Sequence, residues 1–176
     1  TILLKTIPGI SRPAIATTFP TYDGKCIMLD MGANIDCSPD QLVEFAIMGN
    51  TFAKDLLNIQ TPRIGLLNIG HEELKGKPEL HEAHKKLKSI STVLNYRGFV
   101  EGNDIPHGKS DVVVTDGFTG NVAIKTAEGV GSAISKYLKE NMQNSVFYKF
   151  YKWVASSKKV SITEHFNPVK YNGAMF

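Results

Sequence analysis

Three short apolar runs in this chain each break off into a polar, glycine-bearing loop, and each is followed by a helical pattern. Cys26 to Leu29 runs into DMGAN, Asp30 to Asn34. Arg63 to Ile69 (RIGLLNI) runs into a loop that carries Asn68, Gly70, His71, Glu72, Glu73 and Lys75 and reaches Gly76. Val112 to Thr115 runs into DGFTGN, Asp116 to Asn121. A fourth strand is expected over Asn95 to Val100. Strands of this length alternating with helices predict an α/β core with a parallel sheet and right-handed crossovers. Ligands of such sheets bind at the carboxyl ends of the strands. All three polar loops leave carboxyl ends, so they are expected to converge on one site.

The helices are legible from caps and period. Ser38, Pro39 and Gln41 spell a capping box with proline at the first helical position. Leu42, Phe45, Ala46, Gly49, Phe52, Ala53 and Leu56 follow at three- and four-residue spacing, one buried stripe. Pro78 to Leu87 reads as a helix charged on one face. The helix after DGFTGN is expected to send Ala123, Ala127, Val130, Gly131, Ile134 and Leu138 to the core. Residues 1–25, punctuated by Pro8, Gly9, Pro13, Pro20 and Gly24, read as a connector with short extended pieces such as Ala14 to Thr18.

With 176 residues and 42% hydrophobic content, the chain can bury one good core with a protruding element. The expected division is an α/β core over 1–141 and 160–176, with an amphipathic helical arm over 142–159. A formal charge of +3 suits anionic small molecules, an acidic partner or lipid headgroups, and falls short of a nucleic-acid signature. Cys26 and Cys37 have neither metal-type nor disulfide-framework spacing, which fits a reducing cytoplasm. No apolar run reaches the roughly 18 to 20 residues of a spanning helix. The chain begins without Met and stops soon after an apolar turn, as part of a longer protein would.

The loop chemistry points to an anion. Gly117 and Gly120 let backbone N–H groups turn towards a ligand, and the helix behind them adds positive dipole, so phosphate is the natural occupant. An ordinary turn before a helix is the competing reading, and the convergence of three loops weighs against it. His81 and His84 lie at i and i+3, not the i and i+4 of a zinc-protease helix, so no metal and no cofactor are expected. Cys37, just before a helix start, is the alternative nucleophile. Residues 142–159, MQNSVFYKFYKWVASSKK, set aromatic residues among lysines with no acid. Such a helix can lie on a membrane surface, or form a dimer contact or an arm packed on the core.

Taken together, RPAIA, LDMGAN, LLNIGHEELKG, GFVEG and DVVVTDGFTGNVAIKTAEG, in this order, closely resemble the bacterial PlsX phosphate acyltransferases. The resemblance implies a fold similar to the isocitrate and isopropylmalate dehydrogenases and the phosphotransacetylases, and transfer of a long-chain acyl group from acyl-[acyl carrier protein] to inorganic phosphate. It also implies a homodimer attached peripherally to the inner face of the cell membrane, with the family's membrane-touching hairpin at 142–159. The family's functional lysine and asparagine match Lys75 and Asn121. The expected catalytic set is Lys75, Asn121, Asp116 and Asp30. The expected substrate contacts are Gly32, Asn34, Asn68, Gly70, Glu72, Gly117, Phe118, Gly120 and Lys125. Lys75 and the N–H groups around Gly117 and Gly120 would hold phosphate, and Asn121 and Asn34 would donate to phosphate or to the thioester carbonyl. Asp30 and Asp116 would orient Lys75 or loop N–H groups and relay a proton, or simply pin the loops. An acyl-CoA:phosphate transferase of the phosphotransacetylase kind and a non-catalytic module binding membrane or carrier protein are the alternatives.

Overall fold

Four strands form the parallel heart of the sheet: β2 (Gly24–Leu29), β3 (Ile64–Leu67), β4 (Tyr96–Val100) and β5 (Val112–Val114). β1 (Ala14–Thr21) and β6 (Gly173–Met175) add an antiparallel edge, giving the order β4-β3-β5-β2-β1-β6. This is a computed structural model, and it describes residues 6–142 and 173–175. The chain divides into two compact units, one holding the described residues up to Ala123 together with 173–175, the other holding Ile124 to Met142. The expected arm at 142–159 lies outside the described residues but for Met142.

The strand order places the site. The chain goes from β2 to β3 and outward to β4, and only then returns to lay β5 between β3 and β2. The loop leaving β5 is therefore flanked by the loops leaving β2 and β3, all at carboxyl ends. Strand Val112–Val114 is wholly buried, as a strand covered on both faces must be.

Helix α1 (Pro39–Leu57) starts with the expected capping box: the Ser38 side chain accepts from the Gln41 N–H, and Gln41 Oε1 accepts from the Ser38 N–H. It buries Leu42, Phe45, Ala46, Met48, Gly49 and Ala53, while Leu56, expected in the stripe, is exposed near the helix end. Gly49 is the point of closest approach to the sheet, since a Cβ there would lie 2.5 Å from Val112 Cγ1 and 2.9 Å from Leu29 Cδ1. Helix α2 (Pro78–Ser89) buries Leu80, Ala83, His84 and Leu87. His84 stacks on Phe99 with ring centroids 4.4 Å apart and pairs its Nδ1 with the Tyr96 hydroxyl at 2.7 Å, so it is a core histidine.

Two expectations change. Residues 14–21 are a strand of eight, not part of a connector: Thr21-Tyr22-Asp23-Gly24 closes a hairpin in which Thr21 pairs with Gly24, and Pro20 falls next to the turn. The sheet is consequently mixed. Helix α3 (Gly117–Met142) begins six residues before Ala123, the first residue of its expected apolar pattern, and in its second part Val130, Ile134 and Leu138 are exposed rather than buried.

Candidate functional site

Asp30, the first residue beyond β2, is fully buried, and its carboxylate is used up by the loop it opens. Oδ1 accepts from the backbone N–H groups of Ile15 (2.9 Å), Gly32 (3.2 Å) and Ala33 (3.0 Å). Oδ2 accepts from the Asn34 N–H at 2.7 Å and from the Asn34 side-chain amide at 2.8 Å. That amide also donates to the Pro13 carbonyl at 2.9 Å. An amide NH₂ has two protons, so Asn34 has no side-chain donor left for phosphate or a thioester. In this geometry Asp30 and Asn34 pin the loop, and both protons of the Asn34 side-chain amide are engaged within it.

The start of α3 also differs from the expectation. Asp116 Oδ1 accepts from the Thr119 N–H at 2.7 Å, and the Asp116 carbonyl accepts from Gly120 at 2.9 Å. Gly117 donates to the Asn34 carbonyl at 2.8 Å and Phe118 to the Ile35 carbonyl at 3.4 Å. The four leading N–H groups of this helix are thus taken by the chain itself, and those of Gly117 and Gly120 are not free to hold an anion. The glycines serve close approach. A Cβ on Gly117 would lie 2.5 Å from the Asn34 carbonyl oxygen and 3.0 Å from Gly32 Cα, and one on Gly120 would overlap the Asp30 carbonyl oxygen.

Asn121, one turn into α3, lies over Gly32. A Cβ on Gly32, which sits at φ +126°, would be 3.3 Å from Asn121 Nδ2. The exposed Asn121 amide has no hydrogen-bond partner among the described residues. It is the free donor of this loop pair. Phe118, beside it in the same turn, is 61% exposed.

The loop after β3 is a second cluster. Buried Asn68 donates to the Lys75 carbonyl at 2.8 Å, while its Oδ1 faces the Cα of Gly76 without a hydrogen-bond partner. Lys75 Nζ holds Glu72 Oε1 at 2.8 Å, both side chains half-exposed or more, and this hydrogen bond keeps the lysine above and the carboxyl below their ordinary ranges. Gly70 lies beneath them, and a Cβ there would come within 2.5 Å of Glu72 Oε2 and 2.6 Å of Lys75 Cδ.

Lys77 joins the two clusters, with its Nζ 3.6 Å from Asp116 Oδ2. Asp36, Cys37, Ser38, Leu42, Lys77 and Asp116, with the first turn of α2, line a cleft of about 440 Å³. The amino ends of α1, α2 and α3 all border it, and their dipoles favour negative charge there. Lys77 was not among the expected site residues. Its signal was present in the sequence, because the residue before a proline at the first helical position is the N-cap and stands at the loop mouth.

Cys37 borders this cleft but is 8% exposed. Burial pushes its thiol up to about 11, with Asp30, Asp116 and Asp36 adding to the shift. A thiol so protonated is a poor nucleophile at neutral pH. The fold therefore brings Asp30, Gly32, Asn34, Asp116, Gly117, Phe118, Gly120 and Asn121 into one cluster and Asn68, Gly70, Glu72 and Lys75 into the next. Lys125 belongs to the second unit, where it pairs with Glu128 at 3.0 Å. Among the described residues no group of three or more His, Cys, Asp or Glu could hold a metal ion.

The whole chain, residues 1–176, matches the family model described as fatty acid synthesis protein. It is 47% identical over 174 residues to the phosphate acyltransferase of Rhodospirillum centenum, covering 99% of this chain and 49% of that protein. The phosphate acyltransferase of Paramagnetospirillum magneticum is 48% identical over 174 residues, with 99% and 50% covered. The chain thus spans about half the length of the curated relatives it matches. Among solved structures, a phosphotransacetylase from Streptococcus pyogenes superposes with a TM-score of 0.57 at 22% identity, over 74% of this chain and 45% of that one. The EutD phosphotransacetylase from Staphylococcus aureus gives 0.60 at 19%, over 74% and 46%. At such identity these two speak for the fold alone, and they bear out the α/β reading.

Proposed function

Because the chain belongs to the fatty acid synthesis protein family, we propose that it forms the phosphate-handling part of a phosphate acyltransferase that moves a long-chain acyl group from acyl-[acyl carrier protein] to inorganic phosphate. The observation that carries the reading is the meeting of the loops after β2, β3 and β5, with Lys75, Lys77 and the unpaired Asn121 amide among them. A phosphate oxygen attacks the thioester carbonyl carbon, a C–O bond forms, and the tetrahedral oxyanion collapses with loss of the C–S bond and release of thiolate. The nucleophile is already ionised near neutral pH, so the protein has to position it and stabilise the oxyanion. Lys75 and Lys77 supply the counter-charge, and phosphate displaces Glu72 from the Lys75 ammonium. Asn121 donates to phosphate or to the developing oxyanion. Asp30, Asn34, Gly117 and Gly120 hold the loops at the distance this requires.

The complete enzyme acts as a homodimer attached peripherally to the inner face of the cell membrane, a reading supported by the family resemblance and by the lysine-edged aromatic stretch at 142–159. No helix among the described residues is long and apolar enough to cross a membrane. The test uses the full-length gene product with palmitoyl-[acyl carrier protein] or palmitoyl-CoA, with and without phosphate. Phosphate-dependent acyl-phosphate from the carrier-bound donor is expected. Turnover of the CoA thioester alone would favour the phosphotransacetylase reading, and no acyl-phosphate from either donor would overturn catalysis.

A further inference from the structure

Two side chains tie the Lys75-bearing loop to its surroundings. Asn68 holds the Lys75 carbonyl, as described, and His71 reaches sideways to the end of β4. Its Nδ1 lies 3.0 Å from the Phe99 carbonyl oxygen. Its Nε2 lies 3.0 Å from Asp104 Oδ2 and 3.7 Å from Glu101 Oε1. A carbonyl and a carboxylate only accept, whereas a neutral imidazole carries one N–H. Both contacts can be hydrogen bonds only when both ring nitrogens are protonated.

We propose that His71 is a positioning residue that clamps the loop carrying Lys75 to the neighbouring strand end, and that the clamp closes only when His71 is the imidazolium. The inference rests on the phosphate-site reading above and deepens it by adding a proton-dependent control on phosphate binding. Asp104 is built to receive the clamp: it is 4% exposed, its Oδ2 also accepts from the Glu101 N–H at 3.0 Å, and its Oδ1 holds Lys109 Nζ at 2.6 Å. The charged groups around His71 are therefore Asp104 and Glu101 from the β4 side, with Lys109 behind Asp104, and Glu72 and Lys75 on its own loop. Two carboxylates face the ring directly, so an imidazolium is attracted there, while the lone pair of a neutral ring pointed at Asp104 is repelled. The direction follows from the two acceptors: the doubly protonated ring closes the clamp and the neutral ring releases it, so low pH favours the closed form. His71 itself is half-exposed, so its replacement leaves the core intact.

The test uses the full-length gene product and measures phosphate saturation of acyl-phosphate formation from about pH 6 to about pH 8.5 for wild type, His71→Gln and His71→Phe. Phosphate's own second ionisation falls in this range but is common to all three proteins, so it cancels in the ratio of KM values. His71→Phe is expected to raise the phosphate KM about tenfold at the acid end, with kcat changed less, and the ratio should shrink towards one at the alkaline end. His71→Gln keeps one pH-independent donor and should fall between. A ratio that stays flat with pH, or a loss confined to kcat, would overturn the clamp. Hydrogen exchange of the amides of residues 70–76, corrected for intrinsic rate, provides a readout that needs no turnover. Protection in wild type should fall as pH rises, while His71→Phe should be unprotected throughout. Equal protection in both proteins at both ends of the range would also overturn the proposal. A wild-type protein that makes no acyl-phosphate would sink the functional reading instead, and the exchange measurement would still decide the clamp.

Discussion

Gly120 in the first turn of α3 sits directly against the carbonyl of Asp30, so close that a Cβ on the glycine would overlap the carbonyl oxygen and lie 2.9 Å from Thr115 Cγ2. The contact locks a helix start onto the loop from the neighbouring strand and so sets the depth of the site. Gly120→Ala is expected to destabilise the protein by about 2 to 3 kcal/mol, because the clash is with backbone that cannot rotate away. Chemical denaturation measures this, and an unchanged midpoint would show that the two loops are not packed as described. Phosphate saturation should weaken together with stability.

Cys37 is the opposite case, a residue whose chemistry is switched off by its setting. With the thiol raised to about 11 by burial, Cys37→Ala should retain acyl-phosphate formation within about twofold and cost about 1 kcal/mol of stability. Loss of turnover, or a trapped thioester on Cys37 in a quenched reaction, would restore the covalent route.

Lys77 stands 3.6 Å from Asp116 and supplies positive charge to a cleft whose other charged side chains are acids. Lys77→Met keeps the length of the side chain and removes the charge. Its phosphate KM should rise about tenfold with little change in melting temperature, since the Lys77 ammonium is exposed to solvent and the buried Asp116 carboxylate keeps its hydrogen bond from the Thr119 N–H. An unchanged KM would remove Lys77 from the site and leave it as a partner of the Asp116 cap.

At the opposite end of the sheet, Arg63 and Asp111 form a fork in which Arg63 donates from its backbone N–H and Nε to Oδ2 at 2.7 and 3.0 Å and from Nη2 to Oδ1 at 2.7 Å. Burial alone would raise the Asp111 carboxyl, but these bonds outweigh it and hold the group below its ordinary 3.8. A carboxylate with a depressed folded value stabilises fully above its unfolded pKa, and the contribution disappears as pH falls through the folded one. Asp111→Asn should therefore cost about 1 to 2 kcal/mol near neutrality, after allowance for screening at the 41% exposed Arg63 side chain. The gap to wild type in thermal unfolding should hold down to about pH 5 and close below about pH 4. A gap independent of pH would contradict the ion-pair account.

How much of this was legible in the sequence differs from residue to residue. The α1 cap was legible because Ser38, Pro39 and Gln41 act within one turn, and the stripe from Leu42 to Ala53 is periodic. The strand ending at Leu29 and the one within Val112 to Thr115 were legible as short apolar or β-branched runs stopped by Asp30 and Asp116. Three loops at carboxyl ends foretold a crevice, yet not that β5 would fall between β3 and β2, because sheet order is decided by long-range pairing. The strand at residues 14–21 was obscured by Pro13 before it and Pro20 within it, although Asp23-Gly24 is a pair suited to a hairpin turn. DGFTGN reads as an anion loop when its glycines are taken alone. Which N–H groups are free depends on Asn34 and Ile35, some eighty residues earlier, and no local pattern records that. Lys77 escapes a loop reading because it lies one residue past Gly76, and only its place before Pro78 marks it as the N-cap.

The central claim is that the loops after β2, β3 and β5 build a phosphate site in which Asn121 is the free donor. The most direct measurement is acyl-phosphate formation from palmitoyl-[acyl carrier protein] by the full-length gene product, as a function of phosphate, for wild type and Asn121→Ala. A missing oxyanion donor is worth about 3 kcal/mol, so the variant should lose on the order of a hundredfold in turnover while its melting temperature stays within a few degrees of wild type. Full turnover and unchanged phosphate saturation in a folded Asn121→Ala protein would contradict the account.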